Sequence, residues 1–150
     1  MPQKTILEYH KDNLTISTDK SRLDISTIHN FLANESYWSK NIPLTIVQEA
    51  VKNSLCFGLY DGDRQIGFAR VVSDYVTFAF LADVFIVKGS RGWGLSKWLL
   101  ECIISHPELQ GLRRWMLATR DAHELYAKLG FRPLAHPERL MEIHHPELYR

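Results

Sequence analysis

Apolar and polar positions change their periodicity several times along the chain, which predicts strands interleaved with helices. Alternating or continuous apolar segments predict the strands: residues 14–18, 55–60, 65–72, 78–87, 113–119 and 131–134, with residues 139–143 fitting a seventh. The Asp-Gly-Asp-Arg segment at 61–64 predicts a hairpin turn between two of them. This succession predicts one domain over residues 1–150, of the α/β or α+β layered class.

Four segments with apolar residues three and four positions apart predict helices. Asp24 is placed to cap the first helix. Thr45–Gln48 and Asp121–Glu124 each fit a capping box, which predicts the starts of the second and fourth helices. The third helix follows a glycine-rich loop and is expected to stop before Pro107, because proline blocks its continuation. Gly130 is the expected C-terminal glycine of the fourth.

The composition argues against two classes of partner. Lys and Arg number 18 against 17 Asp and Glu, a net charge of +1, which offers no basic excess for nucleic acid. No apolar run reaches the length of a membrane span, and the first residues do not resemble a signal peptide, so we expect a cytoplasmic protein without a membrane partner. Cys56 and Cys102 lie in apolar runs, which predicts buried, reduced thiols.

The glycine-rich loop at residues 88–94 lies between a long apolar strand and an amphipathic helix. A helix N-terminus presents unpaired N–H groups and the positive end of a dipole, and phosphates bind there. Gly92 and Gly94 let the backbone approach an anion, Arg91 adds a charge, and Ser96 adds a hydroxyl. The spacing fits neither a Walker A loop nor the dinucleotide fingerprint. The pattern indicates a phosphate site; the alternative is a tight turn that merely uses glycine.

Residues 84–96, Val-Phe-Ile-Val-Lys-Gly-Ser-Arg-Gly-Trp-Gly-Leu-Ser, resemble the acetyl-CoA signature of the GNAT N-acetyltransferase superfamily, an Arg/Gln-x-x-Gly-x-Gly/Ala loop after the fourth strand. Residues 122–131 resemble the family's Ala-x-x-Leu-Tyr-x-x-x-Gly-Phe helix and strand. The resemblance covers nearly the whole chain. It implies a GNAT-like fold, with a central mixed, mostly antiparallel twisted sheet of about six or seven strands flanked by about four helices.

The resemblance implies acetyl-CoA as the cosubstrate, and no Cys/His ligand spacing in the sequence predicts a metal. The pantetheine arm would lie along the strand ending at Val87, where a bulge would aim the N–H of Ile86 or Val87 at the thioester oxygen. Two positions depart from the family pattern: Ser96 replaces Gly or Ala, and Thr119 replaces an asparagine that touches the pantetheine arm in many members. The implied cofactor contacts are Phe85, Ile86, Val87, Arg91, Gly92, Trp93, Gly94, Leu95, Ser96 and Thr119.

Two residues are the candidate catalytic groups. In the family, the tyrosine matching Tyr126 sits near the coenzyme sulfur, and a phenol can protonate a departing thiolate. The alternative is a packing residue of an amphipathic helix. Asp83 is the only ionisable group inside the long apolar strand, so it is either a general base or a carboxylate tied to a backbone or arginine partner. Asp74 and His123 are weaker candidates for the base.

The segment after the first helix is the candidate acceptor site, because the family covers its acceptor there. Tyr37 and Trp38 would form an aromatic wall for a cation, or else a plug beneath a loop. Tyr75 and Phe78 are a second candidate part. His144–His145 does not predict a metal site, because adjacent strand residues face opposite sides.

The resulting hypothesis is an N-acetyltransferase that moves an acetyl group from acetyl-CoA to a primary amine of a small molecule or peptide, by direct attack through a tetrahedral intermediate. The alternatives are a non-catalytic acetyl-CoA sensor and a general nucleotide-phosphate site. Analogy with the family adds a homodimer as the expected assembly.

Overall fold

A single six-stranded sheet forms the centre of the computed structural model, which describes residues 5–149. Its neighbours are antiparallel except for the last two strands, which are parallel. The sheet is therefore mixed and mostly antiparallel, as expected. In spatial and chain order the strands are β1 (Glu8–Lys11), β2 (Leu14–Ser17), β3 (Leu55–Asp61), β4 (Arg64–Ser73), β5 (Phe78–Ile86) and β6 (Arg114–Leu117).

Helices cover both faces of this sheet and divide the core into two clusters. The helices are α1 (Ile25–Asn34), α2 (Leu44–Lys52), α3 (Leu95–Ile104) and α4 (His123–Ala127). One cluster joins α1 and α2 to side chains such as Phe68 and Phe85. The other joins α3 to the opposite face, including Phe57 and Leu81. Burial of apolar side chains on both faces is the main force that holds the layers together.

The predicted helix starts are confirmed in one case and wrong in two. The Asp24 carboxylate accepts the Thr27 N–H at 3.3 Å and caps α1. The 45–48 capping box is wrong: α2 begins directly after Pro43, whose ring fixes an extended conformation there, and no side chain caps the helix. The 121–124 box is also wrong, because α4 begins after Ala122, whose N–H is bonded to the Thr119 hydroxyl.

Strand predictions fail at both ends of the chain. β1 was not predicted, because its Glu-Tyr-His-Lys sequence has only one apolar position and lies exposed at the sheet edge. Residues 131–134 and 139–143 form no strand. Pro133 removes a backbone donor from the first of these segments, which disfavours a paired strand. The sheet therefore has six strands among the described residues.

Both cysteines are buried and reduced, as expected. Burial raises the pKa of the Cys56 thiol to about 12 and that of the Cys102 thiol to about 11. Thiols with such pKa values stay protonated at neutral pH and are poor nucleophiles. Neither cysteine is therefore a candidate for acyl transfer.

A β-bulge interrupts β5. The ladder with β4 changes register between Phe68 and Arg70, so that Asp83 and Val84 of β5 lie opposite one residue. Asp83 has φ 55, in the left-handed region that aspartate adopts more readily than most residues. This is the position at which one bulge type places glycine.

The bulge shifts the side-chain alternation of β5 by one residue. Ala79 and Leu81 before it pack into the cluster beneath α3, and so do Val84 and Ile86 after it. An odd separation between Leu81 and Ile86 would put them on opposite faces of a regular strand. The extra residue therefore keeps both halves of β5 in one core while it bends the strand.

Candidate active site

The parallel strands β5 and β6 part before β5 ends. Their pairing stops at Leu81 and Leu117, whereas β5 continues to Ile86. We call the space beyond this point the β5–β6 opening. Val87 donates its N–H to the Ile66 carbonyl on the β4 side at 2.8 Å. Because backbone groups alternate in direction along an antiparallel strand, the polar groups of Ile86 point away from β4 and into the opening.

The backbone groups of Phe85, Ile86 and Val87 were expected to hold the pantetheine arm. Of these three residues, only Ile86 directs its N–H into the opening. Its carbonyl accepts the Arg91 Nε–H at 2.9 Å. Val87 is corrected, because its N–H is bonded to β4 and its carbonyl accepts the Ser90 N–H at 2.9 Å. Phe85 is paired with β4 and its side chain is buried, so its backbone also faces the wrong side.

The glycine-rich loop leads from β5 into α3 as an open anion cradle. Gly92 has φ 91, and Gly94, with φ 70, is the N-cap of α3. A Cβ on either glycine would meet no atom within 4 Å, so the loop surface is unobstructed. No side chain caps α3, which leaves its first-turn N–H groups directed outward.

The other loop residues divide between solvent and core. The Trp93 side chain is 78% exposed, and Ser96 in the first turn of α3 is half-buried. Leu95 is buried in the core beneath α3, so only its backbone faces the loop. The Arg91 guanidinium bonds the β5 backbone through Nε, which fixes the loop to the strand.

Tyr126 lies in α4 beside the end of β6. Its ring packs edge-on against Phe131 at 5.9 Å between centroids. Burial, with a smaller contribution from the nearby Tyr37, raises the pKa of the Tyr126 phenol to about 12. Tyr126 and Thr119 line a cavity of about 680 Å³ along β6. The structure therefore brings Tyr126, Thr119 and Tyr37 together near the point where β6 leaves the sheet.

The loop between α1 and α2, residues 35–43, bridges the β5–β6 opening. On the β5 side, Trp38 Nε1–H donates to Asp83 Oδ1 at 2.9 Å. On the β6 side, the Tyr37 hydroxyl accepts the Arg120 N–H at 2.8 Å, and the Arg120 guanidinium lies 3.9 Å from the Tyr37 ring centroid. The two aromatic residues pack edge to face at 5.0 Å. They form a wall that contacts both sides of the opening.

Asp83 was expected to be either a general base or a carboxylate tied to a backbone or arginine partner. In the structure its carboxylate is paired with an arginine. Arg70 Nε–H donates to Asp83 Oδ2 at 2.8 Å, and the Asp83 side chain is only 9% exposed. With Trp38 on the other oxygen, both carboxylate oxygens have donors. Arg70 and Arg120 were not predicted as site residues. A signal existed for Arg70, because Arg70 and Asp83 carry opposite charges within two consecutive apolar strands.

Three further candidates lie at the wrong end of the sheet. Asp74, Tyr75 and Phe78 belong to the β4–β5 hairpin, opposite the β5–β6 opening. The Asp74 carboxylate accepts the Thr77 hydroxyl at 2.6 Å and the N–H groups of Val76 and Thr77. The Thr77 hydroxyl, followed by these backbone donors, holds the pKa of Asp74 well below its usual range. Asp74 therefore stabilises a turn and is no candidate base.

Other site types find little support among residues 5–149. No described cluster of three or more His, Cys, Asp or Glu side chains could hold a metal ion. His144 and His145 instead line a groove of about 840 Å³ beside Tyr37 and Trp38. His123 is exposed in the first turn of α4. No helix in the described part of the chain has the length and apolar character to cross a membrane.

Comparison with known proteins identifies the family. A model of the acetyltransferase (GNAT) domain matches residues 52–133. The chain belongs to the GNAT acetyltransferase family. Its six-stranded mixed sheet and flanking helices agree with that fold.

Individual relatives agree with this assignment. A solved structure from Xanthomonas campestris, assigned to the GNAT family, is 53% identical, covers 91% of this chain and 96% of its own, and has a TM-score of 0.89. A Gibberella zeae protein assigned as an acetyltransferase is 32% identical over 135 residues, 75% of this chain and 75% of the relative. A GNAT acetyltransferase from Elizabethkingia anophelis, solved with acetyl-CoA bound, shares the fold at 17% identity, with a TM-score of 0.61 and coverage of 81% and 78%.

Proposed function

We propose that this protein transfers an acetyl group from acetyl-CoA to a primary amine of a small molecule or peptide. The observation that carries the proposal is the β5–β6 opening, which has an uncapped helix N-terminus at one end and Tyr126 beside it. The family relative from Elizabethkingia, which holds acetyl-CoA, supports the choice of donor. Family membership supports acyl transfer as the reaction class.

The donor would be held by the loop and the free side of β5. Backbone N–H groups of residues 92–96 would bind the pyrophosphate, because Gly92 and Gly94 leave the cradle open. The Ile86 N–H would donate to the thioester oxygen, where negative charge develops as the amine attacks. Thr119 stands beside Tyr126 and is the side chain suited to bond the pantetheine arm.

The chemistry is direct attack of the amine on the carbonyl carbon, through a tetrahedral intermediate. The amine nitrogen forms a bond to that carbon, and the carbon–sulfur bond breaks with its electrons going to sulfur. Tyr126 gives its phenolic proton to the sulfur, which leaves as a free thiol. The amine nitrogen loses a proton to water, and a proton from water restores Tyr126. A pKa of about 12 keeps Tyr126 protonated before each turnover.

Binding and turnover test this proposal separately. Coenzyme A should raise the melting temperature, whereas ATP and NAD should not; stabilisation by ATP or NAD alone would indicate a general nucleotide site. A panel of polyamines, amino acids, aminoglycosides and peptides should then show release of thiol from acetyl-CoA. Binding of coenzyme A without thiol release from any amine would favour the acetyl-CoA sensor.

We propose in addition that the protein forms a homodimer through its C-terminal segment. No described strand pairs with the outer edge of β6, and such edges readily accept another strand. Met141 and Ile143 are 98% and 91% exposed, which is costly for a monomer in water. Sedimentation should show a dimer, and Met141→Glu with Ile143→Glu should give a folded monomer. A wild-type monomer at micromolar concentration would contradict this assembly.

A further inference from the structure

The Asp83 carboxylate belongs to a chain of polar contacts that crosses the sheet. Arg70 donates to Asp83 through Nε at 2.8 Å and to the Ser54 hydroxyl through Nη1 at 3.2 Å. Asp83 in turn accepts Trp38 Nε1–H at 2.9 Å. The contacts therefore run from the start of β3, through β4, to the bulge of β5 and out to the 35–43 loop.

Trp38 is anchored from a second direction by aromatic packing. Its ring lies 6.3 Å from that of Phe31 in α1, and Phe31 stacks on Phe85 of β5 at 4.0 Å between centroids. The hydrogen bond to Asp83 fixes the orientation of the indole, which packing alone would leave free to slide. An indole N–H donates one bond only, so its partner determines where the ring points.

The backbone of Asp83 shows that this arrangement has a cost. Aspartate adopts the left-handed region more readily than most residues, but its Cβ still makes that region less favourable than it is for glycine. The bulge could be built with glycine at lower cost. Glycine would supply no acceptor for Trp38 or Arg70. The carboxylate is therefore the property of this residue that the site uses.

We propose that Asp83 is a positioning residue that ties the bulge of β5 to Trp38 and thereby holds the 35–43 loop across the acceptor side of the β5–β6 opening. In this role the carboxylate accepts hydrogen bonds from Arg70 and Trp38, one on each oxygen. The kinetic consequence rests on the proposed acetyl transfer, whereas the structural one does not. Tyr37, next to Trp38, keeps the same loop on the β6 side through Arg120.

Two substitutions break the contact from opposite ends. Asp83→Gly removes the carboxylate, and glycine adopts the backbone conformation at φ 55 without strain. Trp38→Phe keeps an aromatic ring against Phe31 and removes the N–H. The matched control is Asp12→Gly, because Asp12 has the same φ of 55 in the exposed β1–β2 turn, away from the site.

Hydrogen exchange tests the tie without any substrate. Backbone amides of residues 36–42 should exchange about tenfold faster in Asp83→Gly and in Trp38→Phe than in wild type. The double variant should be no faster than either single one, because both remove the same contact. Asp12→Gly should leave these amides unchanged. Loop exchange equal to wild type in both site variants would overturn the proposal.

Kinetics with the most active amine of the panel separates positioning from base catalysis. The Michaelis constant for the amine should rise about tenfold in Asp83→Gly and in Trp38→Phe, while kcat and the dissociation constant of coenzyme A change less than threefold. A fall in kcat of a hundredfold or more in Asp83→Gly alone, with an unchanged Michaelis constant, would identify a base and overturn the inference. Failure of every amine would count against the proposed function, and exchange would still decide the role of Asp83.

Discussion

Burial decides what Tyr126 can do as a single residue. Its pKa of about 12 means that essentially every molecule carries the phenolic proton at neutral pH, so the group is always ready to donate. The same burial makes it a weaker acid than a free phenol. In the proposed reaction, proton transfer from Tyr126 would be effective only when the sulfur becomes basic as the carbon–sulfur bond breaks.

Removal of this hydroxyl should therefore affect turnover and not binding. We expect Tyr126→Phe to lower kcat about a hundredfold and to leave the coenzyme A dissociation constant within threefold. In the wild type, kcat should not decline between pH 8 and pH 10, because the pKa of Tyr126 is about 12. Steady-state kinetics and calorimetry measure both quantities. A rate within twofold of wild type would remove Tyr126 from the mechanism.

Candidate site residues could be predicted from the sequence only where they belong to a short local motif. The loop glycines and Tyr126 lie in short segments whose pattern survives without knowledge of the fold. The contact between Trp38 and Asp83 joins residues 45 positions apart, and no periodicity indicates it. Arg120 bonds Tyr37 through a backbone N–H, which every residue except proline possesses. Such contacts follow from the packing of the layers and are invisible in one sequence.

At the scale of elements, the entry to α3 depends on the backbone of Gly94. Alanine at φ 70 costs about 1–2 kcal/mol and shifts the N–H groups of the first turn. We expect Gly94→Ala to weaken coenzyme A binding at least tenfold, as measured by calorimetry. Gly111, with φ 75 in a loop away from the opening, is the matched control. Gly111→Ala should lose similar stability and retain binding; equal loss of affinity in both variants would show a global effect.

Elements with long apolar patterns were predictable, whereas their ends were not. β3, β4, β5 and α3 agree with prediction within a residue or two, because burial on the sheet dictates their periodicity. Capping boxes failed at α2 and α4, since Pro43 and Thr119 supplied other ways to start each helix. Residues 131–134 have a strand-like pattern but pair with no strand among the described residues. Their local sequence does not specify whether a neighbouring strand is available for pairing.

The stability of the whole molecule should depend on one buried imidazole. His106 is fully buried after α3, and its Nδ1 accepts the Glu108 N–H at 3.0 Å, which requires the neutral ring. Burial lowers the pKa of His106 below its usual 6.5. The unfolded chain therefore binds a proton at higher pH than the folded one, and stability falls as pH drops below about 6.5.

Urea unfolding between pH 8 and pH 5 measures this dependence. The free energy of unfolding should decrease toward pH 5 in the wild type. His106→Asn keeps an acceptor for the Glu108 N–H and cannot be protonated, so its stability should be lower at pH 8 and flatter with pH. Parallel pH curves for the two proteins would show that His106 is not responsible.

The bulge of β5 has a consequence for sequences of different length. Deletion of residue 83 would leave Leu81, Val84 and Ile86 on the same side of an uninterrupted strand, so the hydrophobic core would tolerate the shorter chain. The straightened strand would be free to continue its pairing with β6 and close the space between them. The deletion would therefore remove the opening on which the proposed acetyl transfer depends, and it would leave Arg70 without its carboxylate partner. The extra residue of β5 therefore keeps the opening in a sheet whose apolar packing does not require it.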